Sequence, residues 1–231
     1  MKKQNLLTLF MVFLAVPFTI FSGMYFFGDR KYYFVSILII LEIIVPFLLS
    51  FEKKKPNTRE IVAISVLSAV CVCSRFAFFF LPQFKPVLAL LIITGVCFGA
   101  ETGFLVGAVT AFVSNFFYGQ GPWTPWQMLA FGMVGFVSGI LFKTGIIKKK
   151  RIGLSVFGFF ATVVIYGGIA NLSSVFMMYP KPTFENVLAV YAAGIPFDLI
   201  HSISTVFFLL ILSEVIIEKL ERVKIKYGLG M

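Results

Sequence analysis

Long apolar segments separated by short loops constrain this chain more than any other feature. About 20 apolar residues suffice to cross the hydrocarbon core of a bilayer. The chain is 59% hydrophobic and only 13% charged, which is more apolar surface than a soluble domain of 231 residues can bury. We therefore predict an all-α, multi-pass protein of the cell membrane, in contact with the lipid bilayer. The apolar segments lie at about 6–27, 32–50, 60–80, 87–99, 103–118, 124–142, 152–178 and 185–217.

Residues 87–118 can form either one long helix or two short helices that turn at FGAETG (98–103). Basic residues decide between these alternatives, because cytoplasmic loops carry an excess of Lys and Arg. Two short helices make eight spans with both termini cytoplasmic, so that fifteen basic residues face inside and four face outside. One long helix would instead place the basic loop KTGIIKKKR (143–151) outside. We therefore predict two helices, with Glu101 at an inner turn.

The net charge of +10 lies in short clusters between apolar segments, which is typical of membrane topology and not of nucleic-acid binding. Small residues let helix backbones approach closely. We expect close helix contacts at Gly99, Gly103, Gly107, Gly132, Gly135 and Gly139.

The sequence YGQGPWTPWQM (118–128) contains both tryptophans of the chain, two prolines and two glycines. Two other loops on the predicted outer side, LPQFKP (81–86) and MMYPKPTF (177–184), also combine proline with aromatic residues. Proline restricts φ and glycine permits tight turns, so these loops have a defined shape. Trp123 and Trp126 either contact a flat organic ligand or anchor helix ends in the membrane interface.

The usual catalytic and energy-coupling motifs are missing from the sequence. No Gly is followed by Lys, which excludes a phosphate-binding loop of the Gly-Lys-Ser/Thr type. With one histidine, the chain has neither a zinc-protease motif nor a cysteine–histidine cluster. The three cysteines, Cys71, Cys73 and Cys97, lie in apolar runs, where packing is their expected role. We expect no enzyme activity, no cofactor and no metal site.

Polar residues within the predicted spans are the remaining candidates for a binding site, because ionisable groups in membrane helices are costly and face a partner or a cavity. Arg75 and Asp198 form a natural ion pair, which could be a structural clamp or part of the site. Asp198 and His201 are three residues apart and share a helix face. Asn115, Gln127 and Asn171 lie in or near the outer halves of their spans.

From Arg59 onward the chain resembles the substrate-binding S components of energy-coupling factor (ECF) transporters. The resemblance covers residues 59–217. It implies a six-helix membrane domain (56–231), to which this chain adds an N-terminal transmembrane helix pair (1–55). It rests on the ordered series in residues 74–142: a helix that ends in an outer Pro loop, a Gly-rich inner turn at FGAETG, the helix GFLVGAVTAFVSNFF, and the Pro/Trp loop. It implies a six-helix protein that binds a vitamin or cofactor precursor outside the cell. Its partners would be a coupling transmembrane protein and two ATPase subunits. Such partners would explain why the chain has no ATP-binding motif of its own.

The resemblance also implies where ligand and partner bind. In this family the outer loops and outer helix halves form the ligand site, and a small-residue patch on the first core helix contacts the coupling protein. That patch corresponds here to Ser65, Ala69 and Cys73, without the alanine pair that the family usually has. The GQGPWTPWQM loop resembles S components assigned to cobalamin uptake. The implied substrate-binding residues, with the polar candidates above, are Arg75, Phe84, Asn115, Trp123, Trp126, Gln127, Asn171, Tyr179, Asp198 and His201.

Three other functions are compatible with the same residues. A stand-alone secondary transporter of a small organic solute could use Asp198 as a proton carrier, although such transporters usually contain an internal repeat and none is evident. A membrane enzyme could use Asp198 and His201 as an acid/base pair. The helical bundle could also serve only as a scaffold.

Overall fold

Six helices form the part of the chain that a computed structural model describes, which comprises residues 58–147, 149–179 and 181–229 and the isolated positions 14, 15, 17–19, 21, 22, 38 and 42. Five of these helices are long and apolar enough to cross a membrane. The predicted all-α membrane bundle is therefore confirmed. The helices are α1 Thr58–Ala77, α2 Val87–Phe98, α3 Ala100–Tyr118, α4 Thr124–Lys143, α5 Arg151–Met178 and α6 Phe184–Tyr227.

The predicted N-terminal helices, at 6–27 and 32–50, lie outside the described residues except for the isolated positions. Within those positions, the Thr19 hydroxyl donates a hydrogen bond to the Glu42 carboxylate. Glu42 therefore has a polar partner on the other N-terminal segment.

Helix α2 is the buried centre of the bundle. Every residue from Val87 to Cys97 is buried, and the helix packs against all five of the other described helices. Its sequence, VLALLIITGVCF, explains this position, because the Thr94 hydroxyl is its only side-chain hydrogen-bonding group apart from a thiol and donates to the Leu90 carbonyl within the helix. Twelve residues span about 18 Å, less than the hydrocarbon core of about 30 Å. The surrounding helices shield both ends of α2 from lipid.

The chain reverses direction at Gly99, between α2 and α3. Gly99 has φ of +91°, a conformation that residues with a side chain rarely adopt. A Cβ atom built on Gly103 would lie 2.9 Å from the Cα atom of Gly95, although eight residues of continuous helix would separate these positions by about 12 Å. The prediction of two short helices is therefore confirmed.

Helices α3 and α4 approach each other through glycines. A Cβ atom on Gly103 would lie 2.5 Å from the Gly135 carbonyl oxygen, closer than side chains allow. Gly107 contacts the backbone of Phe131, and Gly139 contacts the backbone of Ala100 in the same way. The predicted close contacts are therefore confirmed at these glycines, whereas Gly99 has no atom within 4 Å of its Cβ direction and instead forms the turn.

Large apolar side chains cover the outside of the bundle. They include Phe116 on α3, Val164 on α5 and Phe207 on α6, each at least 45% exposed. Water would make this surface unfavourable, whereas lipid accommodates it. These residues therefore mark the face that contacts the bilayer.

Helix α6 extends well past the predicted apolar segment 185–217. It contains 44 residues, about 66 Å, and ends at Gly228 in the left-handed conformation. Its last turns are fixed to the neighbouring helices: Lys224 Nζ donates to the Cys97 carbonyl at 2.9 Å, and Glu221 pairs with Lys149 at 3.4 Å. We call this end of the bundle, with the basic residues of α5 and α6, the basic end.

Candidate functional site

Arg75, in the last turn of α1, is buried with a relative exposure of 8%. Its Nη1 donates to the Ser114 hydroxyl and, at 3.0 Å, to Oδ1 of Asn115. The guanidinium carbon lies 4.4 Å from the centre of the Tyr118 ring, a favourable cation–π distance. Tyr118 in turn donates its hydroxyl to the Arg75 carbonyl at 2.6 Å. Arg75 therefore joins α1 to the end of α3.

Asn115 connects Arg75 to the start of α4. It is 1% exposed, and its Nδ2 donates to the Thr124 hydroxyl at 3.1 Å and to Oε1 of Gln127 at 2.9 Å. The Thr124 hydroxyl also donates to Oε1 of Gln120 at 2.9 Å. Three helices and the YGQGPWTPWQM loop thus share one hydrogen-bond network, and Arg75, Asn115 and Gln127 are brought together as the sequence indicated.

The predicted ion pair between Arg75 and Asp198 is wrong. Arg75 donates to neutral oxygens on α3, and Oδ2 of Asp198 accepts from Asn171 Nδ2 at 2.8 Å. The two charged residues lie on different sides of the site, because the partners of Arg75 are on α3 and the partner of Asp198 is on α5. Opposite charge in the sequence does not predict which helices lie next to each other.

The two tryptophans of the loop have different environments. Trp126 is 5% exposed, and its ring lies 5.7 Å from the Phe176 ring of α5. Trp123 is 38% exposed, packs over Gly121 and donates its indole N–H to the Gly119 carbonyl at 3.3 Å. Gly119, with φ of +97°, ends α3, and Pro125 stands in the first turn of α4. The loop is therefore tightly structured, with one tryptophan inside and one at its rim.

Helices α5 and α6 form the other side of the site. Asn171 and Asp198 fit against glycines of the facing helix, Gly194 and Gly167 respectively, where a Cβ atom would collide with them. His201 is 3% exposed, and neither of its ring nitrogens has a hydrogen-bond partner in the described structure. A buried polar group without a partner is costly, so His201 is a candidate to bind a ligand.

Tyr166 and Phe131 connect the two sides and were missed in the sequence. The Arg75 guanidinium carbon lies 5.4 Å from the Phe131 ring. The Phe131 and Tyr166 rings are 5.5 Å apart, and the Tyr166 and His201 rings are 4.7 Å apart. Tyr166 belongs to a π-helical segment of α5, Ala161–Gly167, and such segments are frequent at functional sites. The only sequence signal was a tyrosine before two glycines in an apolar run.

Phe84, Lys85 and Tyr179 lie at the same end of the bundle. Phe84 packs on Phe207 and Phe208 of α6 with ring distances of 5.7 and 5.6 Å. Lys85 Nζ is 5.3 Å from the Tyr118 ring, and burial, together with the nearby Arg75, lowers the pKa of Lys85. Tyr179 caps the end of α5, one turn after Phe176, and its N–H donates to the Val175 carbonyl.

Ser65, Ala69 and Cys73 lie on one exposed face of α1. The exposed valines Val62, Val66 and Val70 lie beside them. Cys71 and Cys97 are buried, as expected for packing residues, whereas Cys73 is exposed. The face consists of small and apolar side chains, and within the described ranges no helix covers it.

The site has the composition of a binding site for a small organic molecule. Its polar atoms alternate with aromatic rings, an arrangement typical of sites for small organic molecules. Among the residues that the structure describes, no group of three or more His, Cys, Asp or Glu side chains could hold a metal ion. In the part of the chain that the structure describes, Asp198 accepts a hydrogen bond from Asn171, and His201 has no hydrogen-bond partner.

Comparison with known proteins agrees with the interpretation of the site as a binding site for a small molecule. Residues 55–218 match the family model described as "ECF-type riboflavin transporter, S component". The chain is 30% identical over 154 residues to a UPF0397 protein of Aliivibrio fischeri and 29% identical over 154 residues to one of Aliivibrio salmonicida. Both alignments cover 60% of this chain and 82% of the relative. No solved structure matches the chain.

Proposed function

Because the chain belongs to the S components of ECF-type transporters, we propose that it captures a vitamin or cofactor precursor outside the cell. It would deliver this ligand with a coupling membrane protein and two ATPase subunits. The family consists of substrate-binding transporter components and not of enzymes. The observation that carries the proposal is the site itself, in which the buried polar residues Arg75, Asn115 and His201 alternate with aromatic rings.

The proposed orientation places the basic end in the cytoplasm and the site outside. Contacts between Arg59 and the Tyr227 carbonyl, Lys149 and Glu221, and Lys224 and the Cys97 carbonyl gather the inner helix ends. The positive-inside rule assigns such an end to the cytoplasm. On this basis both termini are cytoplasmic, and the loop with Trp123 faces the medium.

Residues 56–231 would form the substrate-binding domain and residues 1–55 a separate helix pair. The hydrogen bond from Thr19 to Glu42 supports the pairing of the two N-terminal segments, since a polar contact between membrane helices favours their association. Loss of ligand binding on deletion of residues 1–55 would contradict this division.

Within the class of vitamins, cobalamin is our first candidate ligand. It is supported by the GQGPWTPWQM loop and by aromatic residues at the rim, Phe84, Trp123 and Tyr179, which suit a broad and partly flat molecule. Riboflavin is the second candidate, because the matching family model carries that name. Its flat ring system would stack on the same side chains.

Mass spectrometry of the small molecules retained by the purified protein tests this proposal. We expect one vitamin or precursor in near-stoichiometric amount, and absorbance spectra would tell a corrinoid from a flavin. Uptake of that compound into liposomes by the chain alone would contradict the S-component mechanism and favour a secondary transporter. Copurification with ATPase subunits would support it.

The exposed face of α1 is the proposed contact for the coupling protein. Ser65, Ala69 and Cys73 are all exposed at steps of four residues, which aligns them along one side of the helix. Small residues there would let a partner helix approach closely. The neighbouring valines supply apolar contact area.

Ala69→Trp is expected to leave ligand binding unchanged and to slow transport at least tenfold, because about 1.4 kcal/mol of lost association corresponds to a factor of ten. The measurement is uptake of the retained compound in cells that express the coupling protein and ATPases, with binding assayed on purified protein. Ala193→Trp, at an exposed alanine of α6, is the matched control and should transport normally. Equal transport by both variants would show that this face of α1 does not bind the coupling protein.

A further inference from the structure

Two cationic side chains border the site, and neither has an anionic partner among the residues that the structure describes. No carboxylate among the described residues lies within ion-pair distance of Arg75 or Lys85. The ion pairs of α5 and α6, Lys149–Glu221, Arg151–Glu214 and Arg222–Glu218, all lie at the basic end. Positive charge at the site is therefore left uncompensated by the part of the chain that the structure describes.

Burial makes this charge costly. Arg75 is 8% exposed, and its described hydrogen bonds run to neutral oxygens of Ser114 and Asn115. A buried charge without a counter-charge costs several kcal/mol. Lys85 adds a second cation to the same place, since Lys85 Nζ and the Arg75 guanidinium carbon lie 5.3 and 4.4 Å from the centre of one ring, that of Tyr118. The two cations repel each other beside this ring. An anion bound between them would offset the repulsion.

Negative charge lies on the other side of the site. Asp198 is half-buried and accepts a hydrogen bond from Asn171, and His201, three residues later, has two unpartnered ring nitrogens. The rings of Phe131 and Tyr166 separate this side from Arg75. The site therefore has a positive side, formed by Arg75 of α1 and Lys85 of the loop between α1 and α2, and a negative side at Asp198 of α6. It would bind a molecule that carries an anionic group in one orientation.

We infer that the ligand carries an anionic group, a carboxylate or a phosphate, and that Arg75 and Lys85 bind this group beside the Tyr118 ring. The inference rests on the proposed function and narrows its ligand to compounds that carry a carboxylate or phosphate group, which excludes uncharged riboflavin itself. Asp198 repels the anionic group from the opposite side. His201 forms hydrogen bonds with the uncharged part of the ligand. A cobalamin, which contains a phosphodiester, satisfies this requirement.

Inorganic phosphate and acetate are suitable probes, because they represent the two anionic groups alone. The purified full chain is titrated with each probe in detergent, and the midpoint of thermal unfolding is recorded. The probe replaces chloride in the buffer, so that the ionic strength stays constant. A ligand that binds only the folded state stabilises it by RT ln(1 + [L]/Kd), so that the midpoint rises with ligand concentration and the rise yields an apparent Kd. We expect at least one probe to raise the midpoint of the wild-type protein.

Lys85→Gln is expected to raise the apparent Kd for that probe about tenfold or more, as for loss of a hydrogen bond to a charged group. The variant should fold, because Ser204 donates to the backbone carbonyl of Lys85 and not to its side chain. Lys85→Arg should restore binding, and Lys181→Gln, at an exposed loop lysine, is the matched control. Arg75→Gln is expected to have a larger effect on affinity.

Absence of any stabilisation by phosphate and by acetate would overturn the inference. An equal response of Lys85→Gln and Lys181→Gln would also overturn it. Competition by phosphatidylglycerol in nanodiscs, compared with phosphatidylcholine, would assign the site to a lipid headgroup and overturn its assignment to the transported ligand. These results are independent of the retained-compound experiment, because an uncharged vitamin could be retained by a protein that ignores both probes.

Discussion

Gly135→Ala is expected to lower the free energy of unfolding by about 3 kcal/mol, at the upper end of the effects of overpacking. A Cβ atom at this position would collide with the carbonyl oxygen and carbon of Gly103. These are backbone atoms in the first turn of α3, so that the collision can be relieved only by moving α3 and α4 apart. The separation would also loosen α2, which packs against both helices. Thermal or denaturant unfolding of the purified protein in detergent measures the change.

Gly168→Ala is the matched control for this prediction. Gly168 is also a helical glycine, but no atom lies within 4 Å of its Cβ direction. Alanine is favoured over glycine in a helix by about 1 kcal/mol, so this variant should be as stable as the wild type or more stable. If both variants unfold at the same midpoint, the close approach of α3 and α4 is not a determinant of stability.

Asn115→Leu is expected to weaken binding of the retained compound at least a hundredfold and to destabilise the fold. Leucine has a similar volume, so that the main change is chemical. It removes the acceptor for Arg75 and the donor for Thr124 and Gln127. Each buried group left without a partner costs about 1–3 kcal/mol, and more if it is charged. The start of α4 and the guanidinium would both lose their defined positions.

Ser114→Ala provides a graded comparison. Ser114 also accepts from Arg75, but Asn115 would remain as an acceptor after this change. We expect a loss of about 1 kcal/mol in stability and a small change in affinity, measured with the same compound by equilibrium binding. Equal effects of the two variants would mean that Asn115 does not organise the network.

Sequence patterns identified the bundle because lipid imposes simple rules. Apolar length predicts spans, and basic clusters mark loops, so α1 to α5 begin and end within three residues of their predicted bounds. The break between α2 and α3 was predicted from the distribution of basic residues, and the structure confirms it through the φ of Gly99 and the contact of Gly95 with Gly103. The extension of α6 to Tyr227 was not predicted, because charged residues interrupt the apolar residues of its final turns and end the continuous apolar run.

The site was less accessible to sequence reasoning. Arg75, Asn115 and Gln127 were nominated and do share one network. The ion pair of Arg75 with Asp198 was wrong, because complementary charge says nothing about which helices are neighbours. Tyr166 was missed, since the π-helical segment that holds it between Phe131 and His201 has no sequence signature.

By itself the sequence determined the class of the protein, its spans, the turn between α2 and α3, and the polar residues from which a site could be built. These follow from local properties, namely apolar length, charge distribution and glycine or proline at turns. Only the tertiary structure decided that Trp126 is buried while Trp123 is exposed, that Asn115 and not Asp198 is the partner of Arg75, and that Lys85 approaches the same ring as Arg75. The physical reason is that these facts depend on which helix faces which neighbour. That choice is made by the close approach of α3 and α4 at glycines and by the complete burial of α2.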